Sequence, residues 1–223
     1  MRKFPVTVLD NFYENPDLVR QFALSLDNSP DPTGRWPGKR SLSLHKVNRP
    51  FFDTFCHKLF NLFYDFDVQI LKYEVDTSFQ SISNFSDDPD SKLNVGWIHP
   101  DNECIFSGVI YLNPNPHENT GTNIYNIINK DIPLNQAQKF KLYKGNQPIN
   151  EVEYSRQLIE NNNNFEETIN IKNVYNRMIL FEGGVYHGVQ SFYSPSLEPR
   201  LTQVFFVYKA EGGRYPVVRS KVR

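Results

Sequence analysis

At 223 residues the chain is long enough to bury a sizeable core without metal or disulfide staples, and its 18 Phe and 12 Tyr favour strands over a helical bundle. A net charge of −1 offers no global field for nucleic acid or an anionic membrane, and two cysteines, Cys56 and Cys104, do not make a secreted disulfide framework. No signal peptide and no run of about 18 apolar residues is present, so a soluble, cytoplasmic protein is expected.

Val6 to Leu9 alternates like a short strand. Asn15-Pro16-Asp17 then opens a helix over Asn11 to Leu26, with Leu18, Val19, Phe22, Ala23 and Leu26 on one face. Five Pro and Gly residues between Asn28 and Arg40 predict a loop. Within it, Arg35, Trp36, Lys39 and Arg40 form a basic-aromatic cluster, best read as solvated although such a loop suits phosphates. His45 lies in a strand-like SLSLHKV stretch. A second helix is expected from Pro50 to about Tyr64, carrying His57.

From Val68 the pattern turns to strands: Val68 to Ile70, the stretch around Tyr73 and Val75, and Phe79 to Phe85. A polar loop (86–92) leads to Val95–His99 and the sequence His99-Pro100-Asp101-Asn102. Ile105 to Leu112 is an apolar strand, and a Pro-rich loop bearing His117 follows. Residues 123–173 are the least regular, with Ile124 to Ile127, a polar helix candidate over Leu134 to Lys144, and a helix around Val152 to Asn161. Strands resume at Arg177–Phe181, Val185–Phe192 and Arg200–Tyr208, and a basic tail (209–223) ends the chain. Front-loaded helices followed by many strands predict a mainly β fold with supporting helices: a double-stranded β-helix, or jelly roll. One domain is expected, with helical support over 1–66, the jelly-roll core over 67–208, and an insertion at about 115–173.

His99 and Asp101 stand two residues apart, and on an extended segment such residues share a face. A third ligand from a distant strand would complete two His and one carboxylate, the facial triad of non-haem iron(II) oxygenases. His45, His57, His117 and His187 are candidates. His187 alone combines a strand setting with an Arg-bearing strand just downstream.

On these pieces the chain resembles the 2-oxoglutarate/iron(II) dioxygenases, nearest to the prolyl-hydroxylase-like branch. The matching segments are HPDN (99–102), YLN (111–113), NRMILFEGGVYHGVQSF (176–192), RLTQVFFV (200–207) and the opening VLDNFYENPDLVRQFAL (8–24). The resemblance implies Fe(II) on His99, Asp101 and His187, with 2-oxoglutarate and O2 as cosubstrates. It implies that Arg200 pairs with the distal carboxylate of 2-oxoglutarate, helped by Thr202 and Tyr111. Tyr73, Gln80, Trp97 and Phe206 are pocket candidates. The sequence departs from close prolyl hydroxylases in the longer gap between His187 and Arg200, where SPSLEP is inserted. Retention of Asp101 favours hydroxylation over halogenation, on a peptidyl residue or a small amino-acid-like substrate, and nucleic acid is disfavoured. A Zn(II) hydrolase using the same triad and a non-catalytic jelly-roll binding protein are the alternatives.

Overall fold

The computed structural model describes residues 6–67, 69–129 and 150–212. Val68, the helix expected over Leu134 to Lys144 and the tail beyond residue 212 lie outside them. In chain order the elements are β1 (Thr7–Leu9), α1 (Pro16–Ser25), β2 (Asn28–Pro30), β3 (Lys39–Ser41), α2 (Leu44–Val47), α3 (Arg49–Asn61), β4 (Lys72–Ile82), β5 (Phe106–Tyr111), β6 (Thr122–Ile127), α4 (Glu151–Asn162), β7 (Phe165–Ile171), β8 (Met178–Glu182), β9 (Tyr186–Val189) and β10 (Arg200–Glu211).

Seven strands form one sheet in the order β1-β8-β5-β10-β4-β3-β2, and β7-β6-β9 form a second. All these pairings are antiparallel. Strand parity divides the large sheet cleanly. One face carries Phe106, Ile110, Leu180, Met178, Leu201, Phe205, Val207, Val75 and Phe79, which bury against the helices. The helices answer in kind. The α3 helix starts on Asn48, whose side chain accepts from Phe51 N, and it buries Phe52, Phe55, Cys56, Leu59 and Phe60 at helical spacing. The α1 helix has Pro in its first turn and buries Val19 and Ala23. Each ring of this layer contributes roughly 1.5–3 kcal/mol of burial.

The opposite face looks into the space between the two sheets. There Tyr111, Ile179 and Phe181 meet Ile124, Ile171 and Val185 in a separate cluster. Two antiparallel sheets closing on one apolar interior make the jelly roll that the sequence predicts.

Several expectations are corrected. The breaker-rich segment 28–40 is not all loop: its ends are β2 and β3, which extend the large sheet beyond β4. The first 66 residues therefore add strands as well as helices. Residues 115–173 are not an insertion between strands, because they supply β6 and β7, two of the three strands of the second sheet. The expected Ile124 to Ile127 segment is the latter part of β6, which starts at Thr122, and Thr122 and Ile124 are buried. His45 sits on a helical turn rather than a strand: Lys46 N and Val47 N both donate to Ser43 O and close the turn around it. The strand 200–208 runs on to Glu211, with a bulge between Val207 and Lys209.

Candidate metal centre and cosubstrate pocket

His99, Asp101 and His187 converge. One ligand atom from each lies within 4.8 Å of the other two, the one such His/Cys/Asp/Glu cluster found among the described residues. Asp101 Oδ1 is 3.8 Å from His99 Nε2, and Asp101 Oδ2 is 3.5 Å from His187 Nε2. The backbone builds this meeting. His99 N donates to His187 O and His187 N to His99 O, each at 3.0 Å, so two segments far apart in sequence are locked side by side. Asp101 N donates to Gly183 O at 2.7 Å. No side chain fits at Gly183: a Cβ there would lie 2.0 Å from Cys104 O and 2.4 Å from Asp101 O.

Each of the three side chains is also oriented from behind. His99 Nδ1 contacts Trp97 O at 2.8 Å, and His187 Nδ1 contacts Val185 O at 2.9 Å. A carbonyl accepts only, so both imidazoles carry a proton on Nδ1, which leaves Nε2, the ring nitrogen nearest Asp101, as the atom that could bind a metal. Ser107 Oγ donates to Asp101 Oδ2 at 2.6 Å. The Phe181 ring lies 4.2 Å from that of His187 and walls the site on the apolar side. The other histidines are elsewhere. His57 stacks on Phe66, while His45 and His117 meet Phe52 and Tyr193 edge to face.

The same interior face holds a buried cation. Arg200 is 5% exposed. Its Nε donates to Thr120 O at 2.9 Å and its Nη2 to Thr122 Oγ1 at 3.4 Å, and its Cζ lies 5.3 Å from the Tyr111 ring centroid. The Tyr111 hydroxyl donates to Thr122 Oγ1 at 3.0 Å. Burial lowers the Arg200 pKa and raises that of Tyr111. A guanidinium starts so high that it stays charged, and the phenol stays neutral. Among the described residues no carboxylate lies within 4.0 Å of Arg200. Thr202, two residues along the strand on the same face, is wholly buried, and its hydroxyl has no hydrogen-bond partner. A buried cation without a counter-ion beside an unmet hydroxyl is costly unless a ligand completes both. The donor set suits the carboxylate of a bound acid.

A protein-family model described as a family of unknown function (DUF6445) matches residues 1–199. The chain belongs to that family. The match stops one residue short of Arg200. No curated protein matches the sequence. Among solved structures, HygX from Streptomyces hygroscopicus with nickel and 2-oxoglutarate bound superposes with a TM-score of 0.54 at 11% identity, covering 92% of this chain and 83% of that one. HygX with iron bound gives 0.51 at 11% identity, over 92% and 82%. A Pseudomonas putida prolyl-4-hydroxylase gives 0.46 at 10% identity, over 92% of each chain. The likeness to HygX is one of fold, a jelly roll.

The remaining pocket candidates divide. Gln80 and Phe206 lie on the interior face, in register with Thr202 and Ser107. Tyr73 does not: it pairs with Ala210 at the far end of β4, and its ring packs 4.7 Å from Phe60 on the helix side. Trp97 buries its indole with Leu93, Tyr154 and Leu158, and the part of it that meets His99 is its carbonyl. Sequence reasoning misses three contributors. Ser107 is readable from parity, since it shares a face with Tyr111. Thr120 and Thr122 carry no local signal, because their role depends on β6 lying opposite Arg200.

Proposed function

We propose that this protein is a 2-oxoglutarate-dependent iron(II) oxygenase acting as a hydroxylase. The observation that carries the reading is the buried Arg200, without a carboxylate partner and beside the unmet Thr202 hydroxyl, on the interior face that also meets the His99–Asp101–His187 cluster. A Zn(II) hydrolase needs the cluster but not this cation, and a non-catalytic jelly roll needs neither.

In this reading His99 and His187 bind iron(II) through Nε2, and Asp101 binds it through a carboxylate oxygen that Ser107 steadies. Bound iron(II), 2-oxoglutarate and O2 supply the oxidation, in which the cosubstrate becomes succinate and carbon dioxide and one oxygen atom enters the substrate. The chain supplies orientation. The fixed Nδ1 contacts hold both imidazoles in one tautomer. Arg200, with the Thr202 hydroxyl, anchors the remote carboxylate of 2-oxoglutarate, and Tyr111 packs against that guanidinium. Ile124, Ile179, Phe181 and Val185 keep the interior dry, which strengthens each of these contacts. Asp101 would fill a coordination position that a halogenating site leaves to halide, which favours hydroxylation over halogenation.

The test is anaerobic addition of Fe(II) and 2-oxoglutarate to the purified protein, watching for the visible charge-transfer band of the chelate. The band is expected in the parent chain and absent in His99→Ala and Arg200→Ala. A folded, metal-binding parent chain with no band would overturn the proposal.

A further inference from the structure

The interior face carries a second cation that the oxygenase chemistry does not use. Arg40 pairs with Gln80, Gln80 with Thr202, and Thr202 with Tyr111, so four strands place these side chains in one row across the sheet. Arg40 leans along the sheet from that row. Its Cζ lies 4.3 Å from the Trp36 ring centroid and 5.3 Å from that of Phe206. Phe206 is the register partner of Ser107, whose hydroxyl holds Asp101. The second guanidinium therefore stands on the metal-facing side of the sheet, beyond β10 from the cluster.

The segment that brings it there is built rather than loose. Asp31 accepts from Thr33 and from Arg35 N. Gly38 has a φ of +72°, and a Cβ there would lie 2.3 Å from Ser81 O. Gln80 Nε2 donates to Pro37 O at 2.8 Å. Yet the cation so placed is under-satisfied. Its Nη2 reaches Gln80 Oε1 at only 3.4 Å, and its Nε is buried with no partner. The Trp36 Nε1 next to it is also buried with no acceptor. Among the described residues no carboxylate comes within 4.0 Å of Arg40. Burial lowers its pKa to about 10, and the more distant Asp101 and Asp76 oppose that fall, so it is a cation at neutral pH.

Building on the oxygenase reading, we propose that Arg40 and Trp36 recognise a single carboxylate on the primary substrate, which is a small molecule bearing that free acid. A guanidinium lying against two rings offers its edge, and an edge of parallel N–H donors matches a planar carboxylate. The unmet indole N–H supplies a further donor. Asp76 and Asp101 share the local field, so a monoanion is favoured over a phosphate dianion. An internal residue of a peptide has no free α-carboxylate and could meet this site only through an acidic side chain, so a free small acid suits it better than a peptidyl residue without one.

The test uses the full chain loaded with Zn(II) and saturated with 2-oxoglutarate, so that Arg200 is already engaged. The Arg40 15Nε–1H signal, assigned by its loss in Arg40→Gln, is followed against N-acetyl amino acids as free acids and as their primary amides. At least one free acid is expected to move the signal saturably while its amide does not, and Arg40→Gln is expected to bind that acid ~10- to 100-fold more weakly by calorimetry. No response to any acid, equal response to acid and amide, or unchanged affinity in Arg40→Gln would each overturn the assignment. The charge-transfer band of the Fe(II)-loaded protein, measured on the same preparation, keeps the two readings apart. A band with a silent Arg40 refutes only the carboxylate site, whereas no band refutes the oxygenase reading beneath it.

Discussion

Single atoms set the chemistry of the pocket. The Ser107 hydroxyl donates to Asp101 Oδ2 at 2.6 Å, and partners of this kind fix a ligand's orientation. Ser107→Ala is expected to weaken iron binding ~10- to 100-fold while leaving the thermal midpoint nearly unchanged; a competition titration against a metallochromic chelator checks it, and an unchanged affinity would make Ser107 a packing residue. Arg200→Gln and Thr202→Val form a graded pair on 2-oxoglutarate. Loss of the charged donor is expected to raise its Kd ~10-fold or more, and loss of the neutral hydroxyl only about 2- to 10-fold. Equal effects in a titration of the charge-transfer band would contradict the ranking. The cluster itself is legible in the sequence because His99 and Asp101 share a face of an extended segment, and because the far strand carrying His187 precedes one with Arg200. Arg40 is not legible. Nothing near it in sequence distinguishes it from Arg35, and only the pairing with Gln80 turns it inward.

At the scale of elements, the strand pattern translates directly where the apolar run is continuous. The β5, β8 and β10 strands fall within a residue or a few of their predicted bounds, since apolar side chains on both faces leave no other way to bury them. The strands that sequence reasoning misses are short, polar or Gly- and Pro-flanked, and tertiary pairing rather than propensity makes them: β2, β3 and β7 have few buried residues of their own. Close approach of backbones is the other element-level device. Gly183 lies against the carbonyls of Asp101 and Cys104, so Gly183→Ala must push the His99–Asp101 segment away from β8. It is expected to cost about 1–3 kcal/mol of stability and to lower metal affinity together with it. Urea unfolding and metal titration of the same variant check this, and a stability loss with intact metal binding would show that the segment yields without moving its ligands.

The whole molecule is layered: helices, large sheet, interior, small sheet. Burial in the helical layer has a consequence for pH. It pushes the Cys56 thiol from its ordinary value of 9.0 up to about 12 and raises Tyr13 well above 10.0. In the folded protein these groups keep their protons where the unfolded chain has lost them. Their contribution is therefore intact below about pH 9 and is lost as the pH climbs from there toward 12, by up to about 1.4 kcal/mol per pH unit for the thiol. Urea midpoints at pH 8 and pH 10 are the measurement. The midpoint is expected to be lower at pH 10, and an equal or higher value would mean that the helical layer admits water.

The place of the β2–β3 hairpin at one edge of the large sheet has a further meaning. It joins the rest of the large sheet through the Lys39–Ser81 and Arg40–Gln80 pairs, with β2 as its outer neighbour. The residues proposed to hold iron and cosubstrate all enter from the other side of β4. If the proposed roles hold, the hairpin of β2 and β3 is an exchangeable cassette: another hairpin grafted in its place is expected to alter substrate selection while leaving the His99–Asp101–His187 cluster and Arg200 unchanged.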